Sequence, residues 1–432
     1  MFIDEQVEEW TKDIEALVEI ARSEPQLAYC AYIFGTSKRW QFVCRTTPGV
    51  GIHLQKLEDL IRSKLIPAIV GIEFISDEMR KIFSLPARLG GLGFLNPVIE
   101  ADFDYEDSLA VTAQLTRAIY NQDSAYVEDS TVQAEAMKAL AARKNERYQL
   151  FDIELKENIS SKLYKLIKLS SEKGASNWLT SLTLMEFGFR LNKQEFTDAI
   201  SMRYDLKLKE VPTRCACGDV FSINHCLSCK KGGYIHLRHN SVRDTVSDLL
   251  SGVCHDVVKE PHLLPVRGEK ILSKNQSDGA RADVSALGLW SPFSRAFLDI
   301  MVFNPLAKTN WAKDISDMYS SNEKKKRDDY NDRIIQIEKG TFTPLVFSCT
   351  GGAAPEAEKF IKQLAKKIAL KRQEEYCNVV SFIRRRIRFD ILKSCAIAFR
   401  GYRKPTLGVA HASGLNYGGS RVLMADLVPN LI

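Results

Sequence analysis

The chain has 432 residues, of which 45% are apolar and 26% are charged, and its formal net charge is +6. These values exclude a collagen-like chain, a coiled-coil rod and a wholly disordered chain, and the length is typical of about three domains. No uncharged apolar run reaches the ~18 residues that a membrane-spanning helix needs. The acidic first residues, MFIDEQVEEW, lack the basic and apolar regions of a secretion signal. The sequence therefore predicts an intracellular multidomain protein.

The N-terminal half is predicted to be helical. Apolar residues recur at helical spacing within 1–25 and again within 53–70. Residues 27–47 alternate apolar and polar groups, which fits either a pair of strands or a broken helix. The segment 85–98 is rich in glycine and proline and is predicted to be a loop. Residues 107–200 are strongly charged and have a helical pattern, which indicates a helical spacer.

The C-terminal half combines helical and strand-like patterns. A helix is predicted over 241–254, from inward-facing residues at helical spacing. Three strand-like runs follow it, at 281–290, 296–304 and 342–349. The charged stretch 322–333, between the last two runs, is predicted to be helical. Pro355 then opens a long helical region that extends to Gly401.

Four of the ten cysteines fall within fifteen residues, which favours a metal site over a disulfide framework. Three of them and one histidine form the pattern Cys-x-Cys-x7-His-x3-Cys, with Cys215, Cys217, His225 and Cys229 as candidate ligands. Zinc binds four nitrogen or sulfur ligands tetrahedrally, and so short a segment needs such a cross-link because it cannot bury a core. Cys226 is a competing ligand, but it neighbours His225 and is expected to point elsewhere. The alternative is a set of incidental thiols beside a helix.

Basic residues follow this knuckle and recur near the C-terminus. The residues directly after the knuckle that are candidates for contacting a phosphate backbone are Lys230, Lys231, Arg238 and His239. Between 361 and 404, thirteen lysines and arginines stand against three acidic residues. This run includes Arg384, Arg385 and Arg386. It fits either a solvated helix face or a clamp on the DNA backbone.

Two aspartates are predicted to face each other. Asp283 and Asp299 lie on strand-like runs joined by a turn at Ser291-Pro292, and position 291 is their midpoint. Opposed carboxylates disfavour folding unless a cation or a proton intervenes. Mg²⁺ accepts such ligands and supports phosphodiester hydrolysis. A lysine among residues 324–326 is a candidate to complete the site, and Glu260 could add a carboxylate. The alternative is that both acids end strands at a solvated rim.

These motifs together resemble the restriction-like endonuclease end of non-LTR retrotransposon proteins that insert at a fixed target site. In that family a CCHC knuckle precedes an Arg-His-(Asp/Asn) motif and a PD-(D/E)xK-type nuclease whose lysine has moved to a later helix near a tyrosine. The matching residues here are Arg238, His239, Asn240, Asp283, Asp299 and the stretch 324–330. The resemblance implies that both aspartates bind Mg²⁺ or Mn²⁺. It also implies that Lys326, four residues before Tyr330, supports the attacking water or the transition state.

The N-terminal third is similar to the thumb region that follows the palm in reverse transcriptases of this family. The similar stretches are 39–46, 57–71 and 85–97. The sequence contains no match to the palm and its catalytic aspartates, so reverse transcriptase activity is not expected. Two further departures concern the nuclease: Arg281-Ala282 replaces the proline expected before the first aspartate, and Met301 occupies the position two after Asp299.

The sequence thus predicts an α+β multidomain protein with a helical N-terminal half, a zinc knuckle and an α/β restriction-endonuclease-like domain with a mixed sheet. The expected domains are a thumb-like region at 1–106, a helical linker at 107–210, the knuckle at 211–240, the nuclease at 241–405 and a flexible tail at 406–432. The resemblance implies a nuclear DNA endonuclease with structural zinc and catalytic Mg²⁺ or Mn²⁺. DNA is the expected partner, with RNA or a separate reverse transcriptase subunit as further candidates. The alternative is a catalytically inactive nucleic-acid-binding remnant of the same element.

Overall fold

A computed structural model describes residues 2–127 and 129–401. The described chain is α+β, with fifteen α-helices and one four-stranded mixed sheet, as the sequence predicted at this level. None of the helices in these two ranges is both long and apolar enough to cross a bilayer. The predicted tail at 406–432 lies outside the described residues. The chain divides into two compact units, which are unit 1 (Met1–Lys168 and Asn192–Thr197) and unit 2 (Leu169–Leu191 and Asp198–Ile432).

Helices form the described part of unit 1. They are α1 (Phe2–Ser23), α2 (Pro25–Phe34), α3 (Gln41–Thr46), α4 (Gln55–Leu60), α5 (Ile66–Val70), α6 (Asp77–Ser84), α7 (Pro97–Tyr120) and α8 (Ser130–Asn158). Two further helices, α9 (Ser161–Ser170) and α10 (Lys193–Tyr204), each have residues in both units. The apolar stripe predicted for the first helix is buried, including Trp10, Ile14 and Leu17.

Residues 27–47 form a broken helix, so the alternative of two strands is wrong for this segment. Pro25 is at the first position of α2, where its fixed φ suits a helix and its missing N–H is not needed. Tyr29 and Tyr32 of this helix are buried against Phe94 from the glycine-rich segment, with ring centroids 5.8 and 4.9 Å away. Helical spacing therefore places both tyrosines in the same core.

A buried ion pair joins α4 to α6 in unit 1. Arg80 donates through Nε and Nη2 to the two carboxylate oxygens of Glu58, at 2.7 and 2.6 Å, and through Nη1 to the carbonyl of Phe94 at 2.6 Å. Two parallel N–H donors matched to two carboxylate oxygens make a strong, directional contact. This pair therefore fixes the glycine-rich segment against the helices.

The predicted helical spacer is helical over α7 and α8, which are largely solvent-exposed. Asn96 caps α7, accepting from the N–H groups of Val98 and Ile99 at 3.0 and 3.3 Å, and Pro97 occupies its first turn. Residues 171–192 are turns rather than helix. Gly174 and Gly188 have φ of +83° and +73° in this stretch, values that break a right-handed helix.

The sheet and its helices form unit 2. The elements are α11 (Ile223–Ser228), α12 (Tyr234–Ser251), β1 (His255–Lys259), β2 (Val284–Leu287), β3 (Arg295–Phe303), α13 (Ile315–Arg333), β4 (Thr341–Ser348), α14 (Pro355–Arg372) and α15 (Tyr376–Arg400). The strand order is β1-β2-β3-β4. The first three strands are antiparallel neighbours, whereas β4 is parallel to β3. A parallel neighbour requires a crossover connection, and α13 lies in that connection.

The β2–β3 hairpin has the register predicted from its midpoint. Val284 pairs with Leu298, and Leu287 pairs with Arg295, so the ladder is centred on position 291. β2 is shorter than the predicted run because the residues up to Asp283 precede the ladder. β3 and β4 are buried along nearly their whole length, as expected of strands covered by helices on both faces. α12 contacts β1, β2 and β3, and α13 and α14 contact β4.

Candidate functional site

Asp283 and Asp299 lie side by side at one end of the β2–β3 ladder. The N–H of Asp283 donates to the carbonyl of Leu298 at 3.1 Å, which continues the hairpin register by one residue and places Asp283 opposite Asp299. Asp299 lies within β3 and is 3% exposed. The hairpin geometry alone therefore brings the two predicted carboxylates together.

Two helices add a histidine and a lysine to this pair. Nε2 of His239, from α12, lies 2.9 Å from Oδ1 of Asp283. The other oxygen of Asp283 accepts from the N–H of Ile300 at 2.6 Å. Nζ of Lys326, from α13, forms an ion pair with Oδ2 of Asp299. The structure thus joins Asp283, Asp299, His239 and Lys326 into one cluster, called here the acid-pair site.

The three consecutive lysines of α13 have different environments. Lys326 is mostly buried against Asp299, whereas Lys324 and Lys325 are exposed. Successive residues of a helix point about 100° apart, so only one of three neighbours can face the sheet in this way. The geometry selects Lys326, the residue that the resemblance favours.

The electrostatics of the two aspartates differ. Burial works to raise the pKa of Asp283, but the hydrogen bond and charge of His239, with the N–H of Ile300 and the charge of Lys326, hold that pKa below its usual value. Burial and the nearby charge of Asp283 raise the pKa of Asp299 to about 7, against the opposing effect of Lys326. Two close carboxylates cannot easily both ionise without a cation. The pair therefore has the electrostatics of a site that accepts a proton or a metal ion.

The donor set of the acid-pair site fits a hard divalent cation. Oδ2 of Asp299 is buried and touches Lys326, but it has no well-oriented hydrogen bond among the described residues. Mg²⁺ commonly uses one or two carboxylates together with water and phosphate oxygens. Glu260 does not join the pair through its side chain, because its carboxylate contacts Arg243 and Arg281 instead. The candidate metal ligands are thus Asp283 and Asp299.

The four predicted zinc ligands also converge. Their ligand atoms all lie within 4.8 Å of one another. Sγ of Cys215 is 3.8 Å from Sγ of Cys229, Sγ of Cys229 is 3.9 Å from Sγ of Cys217, and Sγ of Cys217 is 3.3 Å from Nε2 of His225. Zinc–sulfur bonds of about 2.3 Å in a tetrahedron place two sulfurs about 3.8 Å apart. The cluster therefore could hold a metal such as zinc.

Local backbone structure brings these ligands together. The N–H of Gly218 donates to the carbonyl of Cys215 at 2.8 Å and closes a tight turn between the first two cysteines. Ser222 caps α11 through the N–H of His225. His225 lies inside this short helix, one turn before Cys229, whose N–H donates to the carbonyl of His225 at 2.8 Å. Burial opposes ionisation of Cys215, but hydrogen bonds from the backbone of Cys217 and from His225 lower its pKa to about 7. A thiol that ionises readily is a better zinc ligand.

Cys226 lies outside this cluster. Its side chain is buried, and it is not among the four converging ligands within the part of the chain that the structure describes. Ser228, two residues after Cys226, is the last residue of α11, and Cys229 follows it. The expectation that Cys226 points away from the metal is consistent with this placement.

Arg238 requires a correction. It was expected on a nucleic-acid-binding surface, but its side chain is only 2% exposed. Its Nη2 donates to the carbonyl of Leu227 at 3.0 Å, and its Nη1 lies 4.0 Å from Sγ of Cys395. A side chain without accessible surface cannot reach a phosphate in this structure. Arg238 instead ties α12 to α11 and α15, whereas Lys230 and Lys231 are exposed.

The arginine run of α15 is also largely engaged inside unit 2. Nη2 of Arg384 donates to Glu358 at 2.6 Å, and Nη1 of Arg386 donates to the carbonyl of Phe187 at 3.0 Å. Burial lowers the pKa of Arg385, whose side chain is half-buried. Arg384 and Arg386 thus make contacts within unit 2 that a fully solvated face would not make. DNA binding by this run stays a prediction.

The contact of His239 with Asp283 is not among the roles predicted from the sequence. The helix predicted over 241–254 begins at Tyr234, so His239 lies inside it rather than before it. His239, Val242, Val246 and Leu250 follow at helical spacing, and the last three are buried. This spacing was a usable signal that His239 faces inward, toward the sheet.

Comparison of the sequence with protein-family models and with curated proteins found no match. The resemblance to a known family described above therefore rests on the quoted motifs alone.

Proposed function

We propose that this protein is a metal-dependent DNA endonuclease of restriction-like type, similar to the nuclease end of a non-LTR retrotransposon protein. The observation that carries the proposal is the convergence of Asp283, Asp299 and Lys326 at a hairpin of a mixed sheet. Two carboxylates and a lysine are the residues that a PD-(D/E)xK-type nuclease requires. The proposal includes DNA as the partner and the nucleus as the place of action.

Each residue of the acid-pair site has a proposed task. Asp283 and Asp299 would hold Mg²⁺ or Mn²⁺, and such an ion, when bound, activates water and stabilises charge on the phosphate. The ammonium of Lys326 lies beside Asp299, where it can donate to the attacking water or to the charged phosphate. His239 holds Asp283 in one orientation. Burial of Asp299 keeps bulk water from competing with these contacts.

The Cys/His cluster would hold structural zinc and present positive charge to the DNA backbone. Lys230 and Lys231 follow Cys229 directly and are exposed. Lysines on a segment fixed by metal lose little conformational freedom on binding, and each phosphate contact releases counterions. Structural zinc ligation in such modules can supply roughly 10–16 kcal/mol of apparent folding free energy. The knuckle is thus proposed to position the duplex, not to take part in cleavage.

The second candidate is a nucleic-acid-binding protein that has lost cleavage. Two sequence departures favour it: Arg281-Ala282 where a proline is expected, and Met301 two positions after Asp299. Retention of the complete acid-pair site favours the enzyme. The two candidates share DNA binding and differ only in phosphodiester hydrolysis.

Nicking of supercoiled plasmid in Mg²⁺ or Mn²⁺ tests the proposal. Wild type should nick, and the isosteric Asp299→Asn should not, while its affinity for the plasmid in a mobility-shift assay stays equal or becomes tighter. Asp256→Asn is a matched control, because Asp256 of β1 pairs with Arg295 at the start of β3 and lies outside the acid-pair site. DNA binding without nicking, on a plasmid library with randomised inserts, would favour the second candidate.

A further inference from the structure

The connection between β1 and β2 contains a loop that is bound along α13. This loop, residues 264–277, is called here the arm. The N–H of Lys274 donates to the carbonyl of Asp328 at 2.9 Å, and the N–H of Asn275 donates to the carbonyl of Asp329 at 3.2 Å. Backbone groups of a helix and a loop are thus paired directly, near the C-terminal end of the helix.

A single buried arginine clamps both ends of the arm. Arg333, at the end of α13, has no exposed surface (0%). Its Nη2 donates to the carbonyl of Leu264 at 2.8 Å, and its Nη1 donates to the carbonyls of Asn275 and Ser277 at 3.0 and 2.9 Å. Hydrogen bonds from a charged donor in a buried setting are strong. Both ends of the arm are therefore fixed to α13.

The arm presents an exposed leucine that follows two basic residues. The N–H of Leu272 donates to Oδ2 of Asp332 at 2.5 Å, so its backbone is fixed, yet the residue is 89% exposed. Arg267 and Lys270, earlier in the arm, are exposed as well. A lone exposed leucine is ordinary on a protein surface. Here it differs because its backbone is hydrogen-bonded to α13 and because basic residues outnumber the one acidic residue of the arm, the exposed Glu269.

The arm lies close to the acid-pair site. Tyr330, one helical turn after Lys326, joins the two: burial and the nearby charge of Asp299 raise its pKa, and its side chain hydrogen-bonds with Asn275 of the arm. Leu272 is three residues before Asn275, at most about 11 Å away along an extended chain. A DNA duplex with a phosphate at the acid-pair site would therefore pass near Leu272.

We propose that Leu272 is a wedge that enters the DNA duplex beside the cleaved phosphodiester and partly unstacks a base step, while Arg267 and Lys270 contact the adjacent backbone. Proteins use apolar side chains in this way to kink and unwind DNA, and flanking cations supply sequence-independent affinity. Because the N–H of Leu272 is bound to Asp332 of α13, the backbone that carries this side chain is held in place before DNA binds. The inference rests on the proposed DNA substrate and deepens it.

Unwinding of a closed plasmid measures a wedge directly. Relaxed closed-circular plasmid would be incubated with the full chain in Ca²⁺, treated with a metal-independent topoisomerase, deproteinised and scored for linking number. We expect wild type to change the linking number, and Leu272→Ala to reduce that change at least about twofold at equal occupancy. Leu272→Met should retain it. Phe293→Ala is the control, because Phe293 is 96% exposed in the β2–β3 turn, at the end of the hairpin away from Asp283.

The outcomes separate the wedge from the nuclease. An equal linking-number change for wild type and Leu272→Ala, or none for wild type, overturns the wedge even if the plasmid is nicked in Mg²⁺. Unwinding that depends on Leu272, without nicking in Mg²⁺ or Mn²⁺, supports the wedge on a DNA-binding protein that does not cleave. Since Leu272 contributes little to the core, a change at this position should leave the fold intact, and the thermal transition of each variant checks this.

Discussion

His239 Nε2 and Asp283 Oδ1 lie 2.9 Å apart, and this contact joins α12 to the start of β2. The N–H of Ile300 binds the other oxygen of the same carboxylate at 2.6 Å. Asp283 is therefore held at both oxygens by protein groups, whereas Asp299 has an oxygen without a well-oriented hydrogen bond. Asp283 is thus held by a histidine and a backbone N–H, whereas Asp299 is paired with Lys326.

Removal of the histidine should weaken metal binding. His239→Ala takes away the group that orients Asp283, and loss of such an outer contact typically costs about 10- to 100-fold in metal affinity or activity. Mn²⁺ affinity, measured by calorimetry, and plasmid nicking should fall together. His239→Gln, which keeps a donor, should recover part of both. His236→Ala, an exposed histidine on the same helix, is the matched control. Unchanged Mn²⁺ affinity in His239→Ala would contradict a positioning role.

Of the three neighbouring lysines, only Lys326 should matter for cleavage. Lys326→Ala removes the ammonium beside Asp299, and loss of one group that stabilises a transition state costs about 10²- to 10³-fold in rate. Nicking should fall by that amount while Mn²⁺ binding is kept or strengthened, because a competing cation is gone. Lys325→Ala removes an equal charge from the exposed face. Equal losses of nicking in Lys326→Ala and Lys325→Ala would show that the net charge of the protein matters and the position of the lysine does not.

The Cys/His cluster should bind one zinc ion per chain. Cys217→Ser or Cys229→Ser should abolish stoichiometric zinc, measured by atomic absorption on purified protein, because a tetrahedral site needs all four ligands. Cys226→Ala changes a buried cysteine of the same segment that lies outside the cluster and should retain zinc. A chelator should unfold the knuckle of wild type. Retention of zinc by Cys217→Ser would refute the ligand assignment.

The buried pair of Arg80 and Glu58 should be important for the stability of unit 1. Arg80→Met leaves the carboxylate of Glu58 buried without its partner, which typically costs about 3–5 kcal/mol. Replacing both residues, with Glu58→Leu added, should recover much of the loss because no buried charge remains. Urea unfolding of the two variants measures this difference. Arg22→Met, in an exposed ion pair with Glu19, is the control and should change stability by at most about 1 kcal/mol. If the double variant Arg80→Met/Glu58→Leu is as unstable as Arg80→Met alone, the loss of stability does not come from the unpaired carboxylate of Glu58.

Glu172 should make unit 2 less stable at alkaline pH. Burial raises its pKa to about 7, against the opposing effects of Tyr319 and Arg388. The folded state thus binds the proton more tightly than the unfolded state. That stabilisation is complete below the ordinary glutamate pKa of about 4.3 and is lost as pH rises through about 7. Glu172→Gln cannot ionise, so relative to wild type it should be more stable at pH 8 than at pH 5, by up to about 3 kcal/mol. A constant stability difference between wild type and variant across this range would contradict the burial effect.

The hairpin and its two aspartates could be predicted from the sequence because a short turn fixes the register of both strands. The midpoint of Asp283 and Asp299 lies in that turn, and no long-range information is needed. β1 was not anticipated, since HDVVK is short, exposed and only partly apolar. The alternation in residues 27–47 fitted strands equally well, and only packing of Tyr29 and Tyr32 against Phe94 decides for helix.

Side-chain direction was the harder part of the candidate site. Arg238 and His239 follow the knuckle as a basic pair, which suggests a surface, yet a helix that starts seven residues earlier than predicted turns both inward. Sequence composition does not indicate which of Lys324, Lys325 and Lys326 faces Asp299, because that depends on how α13 is rotated about its axis against the sheet. Such rotation depends on contacts between elements distant in sequence, and a local pattern does not contain them.

The parallel pairing of β3 with β4 has a consequence for folding. Parallel strands joined through a crossover helix form late, because a long loop must close before any contact between them is gained. Lys326 lies in that crossover and Asp299 lies on β3. A chain that has formed only its local hairpin would hold the two acids without the lysine. Under the proposed function, a nascent or partly folded copy would therefore not cleave DNA, and cleavage would begin only when the last strand has joined the sheet.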